Sequence, residues 1–206
     1  MKTLFIPVKA KFKISKLKIF KFSKKLPKNI VIAYSIQYKN LALEIKNSLL
    51  KNHKVLGFIQ VLGCSKPVFP KNTEAVLLIS SGRFHAISLA CVTNLPIYIL
   101  KSNKLEKIPK KEIESYKNKQ RAAYLRFLNA EEIGILVSIK PGQENLKKAI
   151  ILKKKLRDKK SYIFIGNDIN SSEFENFPIK SWINTACPRL DWDNPVINID
   201  RLNPSN

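Results

Sequence analysis

The chain has 206 residues, 45% of them hydrophobic, enough to fold as one large domain or two small α/β units with separate cores, which argues against intrinsic disorder. Its formal charge of +23 is carried by lysine. Only six of the 38 basic residues are arginines, so the planar forks that nucleic-acid readers use for bidentate contacts are scarce. A lysine-over-arginine, isoleucine-rich bias matches an AT-rich genome, and attraction to RNA or another anionic partner is the secondary reading. No apolar run reaches the roughly 18 residues that a membrane span requires, and lysines interrupt every apolar stretch of the N-terminus. Three scattered cysteines make no disulfide framework. A cytoplasmic protein with no membrane partner is expected.

The first 43 residues hold eleven lysines and no carboxylate side chain; Glu44 is the first acid. Leu4-Phe5-Ile6-Pro7-Val8 reads as a short strand. Residues 11–22 alternate between lysine and apolar positions, the pattern of a half-exposed strand or arm. Residues 1–28 are therefore expected to form a basic N-terminal arm or the remnant of a preceding domain. From Asn29 the pattern becomes regular. Ile30-Val31-Ile32-Ala33-Tyr34 reads as a buried strand, and Leu41, Ala42, Ile45, Leu49 and Leu50 stripe a helix. Residues 54–60 form a second strand leading to Cys64. Residues 75–79 form a third, followed by Ser80-Ser81-Gly82-Arg83-Phe84-His85 and a short helix to about Thr93. Residues 96–100 form a fourth.

Residues 101–112 are lysine-rich and polar and contain Pro109, the composition of a boundary. A long helix follows, with Ile113, Tyr116, Gln120, Ala123 and Phe127 on one face. The alternation then resumes with a strand over 132–138, a helix over 143–157, and strands over 162–165 and 182–185. The tail from Asp191 is turn-rich and expected to pack loosely. Strands alternating with helices predict parallel sheets joined by right-handed crossovers. The fold class is α/β, with two similar parallel-sheet βα units. The organisation expected is 29–102 with Cys64, 103–128 as linker and long helix, and 129–206 with Cys187.

Ligands of open parallel sheets bind beyond the carboxyl ends of the strands. Four distinctive segments fall at such ends: Gly63-Cys64-Ser65, Ser81-Gly82-Arg83-Phe84-His85, Lys140-Pro141-Gly142-Gln143 and Cys187-Pro188-Arg189. The second and third of these segments open helices, and neither ends in Gly-Lys-Ser/Thr, so neither is a Walker loop. Cys64 and Cys187 read either as small buried hydrophobes or as soft-metal ligands. Cys91, among Ile87, Leu89, Ala90 and Val92, reads as core. His53 closes a helix as a cap residue. Arg83 and Arg189 suit either a substrate carboxylate or a structural ion pair, and His85 is equally open between structural and catalytic roles.

Taken as a set, further segments carry a family resemblance. They are Gln60-Val61-Leu62-Gly63-Cys64, Ser81 to His85, Arg121-Ala122-Ala123-Tyr124, Gly134 to Ser138 with Pro141-Gly142-Gln143, and Asn184-Thr185-Ala186-Cys187-Pro188-Arg189. In order and spacing, across 29–193, the chain resembles the diphthamide synthase family of archaeal-type 3-amino-3-carboxypropyltransferases. The resemblance implies a fold of three similar α/β domains, each giving one cysteine to a 4Fe-4S cluster. It makes Cys64 the ligand of the middle domain and Cys187 that of the last. It also implies that the cluster binds S-adenosylmethionine and reductively cleaves its Cγ–S bond, the resulting radical adding to a histidine of translation elongation factor 2. Arg83 and His85 are then candidate catalytic residues, and Gln143 and Arg189 candidate cofactor-binding residues. The family's first domain is not matched in full, so a first-domain polypeptide or heterodimer partner is expected to supply the third cysteine. The alternatives are a non-catalytic subunit of the same complex and a basic nucleic-acid-binding protein.

Overall fold

In a computed structural model, residues 4, 6, 8–12, 14–193 and 196–202 are described. They gather into two compact units, 1–114 and 115–206. The first contains α1 (Lys16–Ser23), β1 (Asn29–Tyr34), α2 (Lys39–Leu49), β2 (Lys54–Gln60), β3 (Ala75–Ile79), α3 (Arg83–Thr93), β4 (Ile97–Lys101) and β5 (Lys104–Lys107). The helix α4 (Lys110–Asn129) carries the division between units within its length. The second contains β6 (Glu132–Ser138), α5 (Leu146–Lys155), β7 (Lys160–Gly166), β8 (Ser181–Asn184), α6 (Leu190–Asp193) and β9 (Val196–Asn198).

The first sheet runs β2-β1-β3-β4-β5, parallel throughout except for the antiparallel β5. Its interior strand β1 lies between β2 and β3, and residues Ile30 to Tyr34 are all buried, as expected for a strand covered on both faces. Leu41, Ala42, Ile45 and Leu49 of α2 close over Ile30, Ile32, Leu77 and Ile79 in one cluster. The second sheet runs β7-β6-β8-β9, all parallel, with β6 buried at its centre. Trp182 lies over Gly134, where a Cβ would fall 2.2 Å from the indole Cε3. Phe174 stacks on the same indole at 4.4 Å.

Both units repeat one plan: the first strand crosses through a helix to an edge strand, and the third strand pairs on its other side. The direction of crossing therefore reverses between β1 and β3, and again between β6 and β8.

Four segments differ from the sequence expectation. The expected strand over 4–8 lies partly outside the described residues, and Leu4, Ile6 and Val8 are exposed and non-regular. The lysine-rich segment after residue 11 is helical over 16–23, not extended: the hydroxyl of Ser15 accepts from the amide of Lys18, and Ile14 and Ile19 bury with Leu26 in the first core. The boundary segment supplies β5, joined to β4 through Ser102 and Asn103, both at positive φ. The tail also adds a buried strand, β9, rather than packing loosely. His53 reaches across the chain, its Nδ1 2.9 Å from the carbonyl of Pro27.

Candidate active site

The carboxyl ends of β6, β7 and β8 enclose a cleft of about 220 Å³ lined by Lys140, Gln143, Asp168, Cys187 and Arg189, among others. One wall is the turn Lys140–Gln143, closed by the amide of Gln143 donating to the carbonyl of Lys140 at 3.0 Å. Gly142 adopts φ 77°, the left-handed value that position i+2 of a type II turn demands, behind Pro141. The ammonium of Lys140 pairs with the carboxylate of Asp168, just beyond the end of β7.

The other wall is the Cys187 loop, whose conformation is set by two buried amides. Asn184 is 1% exposed and fully paired. Its Nδ2 donates to the carbonyl of Cys187 at 2.9 Å and to Oδ1 of Asn198 at 2.6 Å, while its Oδ1 accepts from the amide of Ala186. Asn198 in turn donates to the carbonyl of Pro188. Thr185 bonds the carbonyl of Leu136, and the side chain of Asn145 donates to the carbonyl of Thr185. Beyond the loop, Asp191 anchors α6 by accepting from the hydroxyl of Tyr116 at 2.9 and 3.0 Å and from the amide of Gln120 at 3.3 Å. Burial pushes the Asp191 carboxyl above the usual aspartate range, partly offset by those two donors. Cys187 itself is exposed, as is Arg189, to which no ion pair is made among the described residues.

In the first unit Cys64 is also exposed. It sits in a turn closed twice: the amide of Ser65 donates to the carbonyl of Leu62, and the amide of Leu62 to the hydroxyl of Ser65. The two cysteines do not occupy matching places. Cys64 follows the edge strand β2, the second of its unit, whereas Cys187 follows β8, the third of its own. Cys91 is intermediate in exposure on α3.

Arg83 opens α3 with its fork engaged. Nε and Nη2 donate to the two oxygens of Glu112 at 2.8 and 2.7 Å, and Nη1 donates to Glu106 at 2.8 Å. These bonds raise the guanidinium above its already high value and hold Glu112 below the usual carboxylate range. His85 folds back over Gly82, where a Cβ would lie 2.6 Å from its Nδ1, and meets Phe84 edge-on at 5.8 Å.

The structure thus gathers Gln143, Cys187 and Arg189 at one cleft and places Cys64, Arg83 and His85 in the other unit. Lys140 and Asn184 figure in the sequence reading only as members of longer segments, with no role, and Asp168 and Asn198 not at all. Asn184 carried a signal, since an amide ending a buried strand needs internal partners. Asp168 carried none.

Fold and site define an α/β protein that presents one exposed thiol per unit at strand ends. Comparison with known proteins gives the family: residues 1–197 match the family model described as "Putative diphthamide synthesis protein", and the chain belongs to that family. It is 27% identical over 217 residues to the 2-(3-amino-3-carboxypropyl)histidine synthase of Pyrococcus horikoshii, covering 95% of this chain and 63% of that protein. Subunit 1 of the human synthase is 28% identical over 142 residues, covering 65% of this chain and 32% of that protein. The crystal structure of Dph2 from Pyrococcus horikoshii with a 4Fe-4S cluster superposes with a TM-score of 0.75 at 27% identity, covering 90% of this chain and 60% of that one. The chain therefore spans about three-fifths of the archaeal relative's length.

Proposed function

We propose that this chain is part of a 3-amino-3-carboxypropyltransferase modifying a histidine of translation elongation factor 2 in the first step of diphthamide biosynthesis. S-adenosylmethionine would be the group donor and a 4Fe-4S cluster the redox centre. The observation that supports this most is the pair of exposed thiols, each on a braced loop at the carboxyl end of a parallel sheet. It is joined by likeness to a relative crystallised with such a cluster.

The donor chemistry fits in part. Thiolates are the usual ligands of iron–sulfur clusters. Among the described residues no three His, Cys, Asp or Glu side chains gather as a metal site. This chain would hold the cluster through Cys64 and Cys187, with a third thiolate from a segment outside these residues, on the same polypeptide or a partner. When bound, the cluster would supply the electron that breaks the Cγ–S bond of S-adenosylmethionine.

The remaining roles belong to side chains. The guanidinium of Arg189, which pairs with no carboxylate among the described residues and lines the cleft beside Cys187, suits the carboxylate of the donor's amino-acid portion. Gln143 offers an amide from the facing wall. His85 would orient the incoming imidazole. Arg83, with its donors held by Glu106 and Glu112, would act on position rather than on substrate. No helix among the described residues is long and apolar enough to cross a membrane.

Co-expression with a candidate provider of the third cysteine, followed by anaerobic reconstitution, tests the reading. Wild-type chain should give 4Fe-4S absorption and a mass increase on the elongation-factor peptide, and Cys64→Ala or Cys187→Ala should lose both. Full modification by both variants would instead indicate a non-catalytic subunit. RNA binding that collapses with salt and ignores both cysteines would indicate a basic nucleic-acid binder.

A further inference from the structure

We propose that Ser88 and Phe84 of α3 are positioning residues for the Cys64 thiol, acting through Gly63. Residues 61–74 connect β2 to β3 without regular structure, a length that ordinarily leaves a loop to move or to serve a site. The two ends of this connection are fixed. Val61 is 2% exposed and its amide donates to the carbonyl of Tyr34, while Thr73 is buried with its hydroxyl on the carbonyl of Pro70. Between them Val68 is 96% exposed.

Gly63 is where this loop meets a helix. The hydroxyl of Ser88 donates to the carbonyl of Gly63 at 3.0 Å. The ring of Phe84 lies so close that a Cβ on Gly63 would fall 2.3 Å from its Cε1. The glycine is thus favoured by contact: any side chain would have to displace either the Phe84 ring or the loop. Ser88 and Phe84 lie four residues apart on one face of α3 and grip the same residue from two directions. The helix is itself fixed beside Phe84, where Arg83 is held by Glu112 of α4 and Glu106 of β5. A path of contacts thus runs from β5 and α4 through Arg83, Phe84 and Gly63 to the thiol. Cys64 is exposed and yet placed, which is the combination a ligand thiolate needs.

The inference rests on Cys64 being a functional thiol, and its test reads the loop before any cluster is loaded. Amide hydrogen exchange by mass spectrometry would compare the full chain with Ser88→Ala, Ser88→Thr and Phe84→Leu. In Ser88→Ala the Leu62 and Ser65 amides should exchange about ten-fold faster, as loss of one hydrogen bond predicts. The 184–191 loop should be unchanged, and Ser88→Thr should restore protection. Phe84→Leu should loosen the same turn. Wild-type exchange at 62–65 in both Ser88→Ala and Phe84→Leu would overturn the proposal, as would a uniform rise that includes β1 and β3. Iron incorporation separates this from the cluster assignment. If Cys64→Ala retains wild-type iron, that assignment fails while the exchange result stands.

Discussion

Gly134 and Gly57 both sit inside strands, yet the space beside them differs sharply. At Gly134 an added Cβ meets the buried ring of Trp182, whereas at Gly57 it meets Val31 at an ordinary 3.4 Å. Gly134→Ala should therefore cost about 1–3 kcal/mol through overpacking, read as a lower urea midpoint and altered Trp182 fluorescence. Gly57→Ala should change the midpoint far less. Asp191 makes a prediction of the opposite kind. Its proton is held more tightly in the folded protein than at the ordinary aspartate value of 3.8, chiefly through burial, with Tyr116, Gln120 and Arg201 opposing and Asp200 reinforcing the shift. Once ionised it penalises folding, so the penalty is present above its folded pKa and fades as pH falls toward 3.8. Asp191→Asn keeps an acceptor for the Tyr116 hydroxyl. It should match or exceed wild-type stability at pH 7–8, with the difference closing toward pH 4 in urea titrations. Single residues were unevenly legible in the sequence. Cys187 announced itself through its position after a buried strand. The engagement of Arg83 did not, because Glu106 and Glu112 lie 23 and 29 residues away and only the fold brings them near.

Elements with strong periodicity were readable, and the weak ones were not. The stripes of α2 and α4 and the continuous apolar runs of β1, β3 and β6 gave their positions directly. The segment ahead of β1 mixes a two-residue lysine alternation with apolar positions at helical spacing, and the Ser15 cap with burial of Ile19 decides for helix. β5 and β9 are four and three residues long, too short for a period to show. The β4–β5 connection carries its own test. Ser102 and Asn103 adopt φ 46° and 65°, the pair of left-handed values a tight two-residue hairpin requires. Serine holds that conformation at a cost of about 1 kcal/mol that glycine avoids, against a smaller entropic loss in the unfolded chain. Ser102→Gly should therefore raise the thermal midpoint slightly, while Ser102→Val should lower it by several times that amount.

At the scale of the whole chain the dominant quantity is charge. With +23 and only 15 acids, the folded state carries net self-repulsion that an expanded chain relieves. Salt screens such repulsion over about 10 Å at 0.1 M. Raising NaCl from about 0.02 M to about 0.3 M should lift the thermal midpoint by roughly 2–4 °C, the shift expected for about 1 kcal/mol in a chain of this size. A flat or falling midpoint would mean that favourable ion pairs such as Arg83–Glu112 outweigh the surplus. The family was legible because its segments are local in sequence; the cleft required the sheet order, which joins residues some 50 positions apart. That order also bears on ancestry. If the two halves descend from one duplicated gene, their sulfurs are not sister residues, because one follows the second strand of its copy and the other follows the third. Either a thiol was gained after the copies parted or each copy lost a different one, so a search for internal homology would align the two backbones and leave the cysteines out of register.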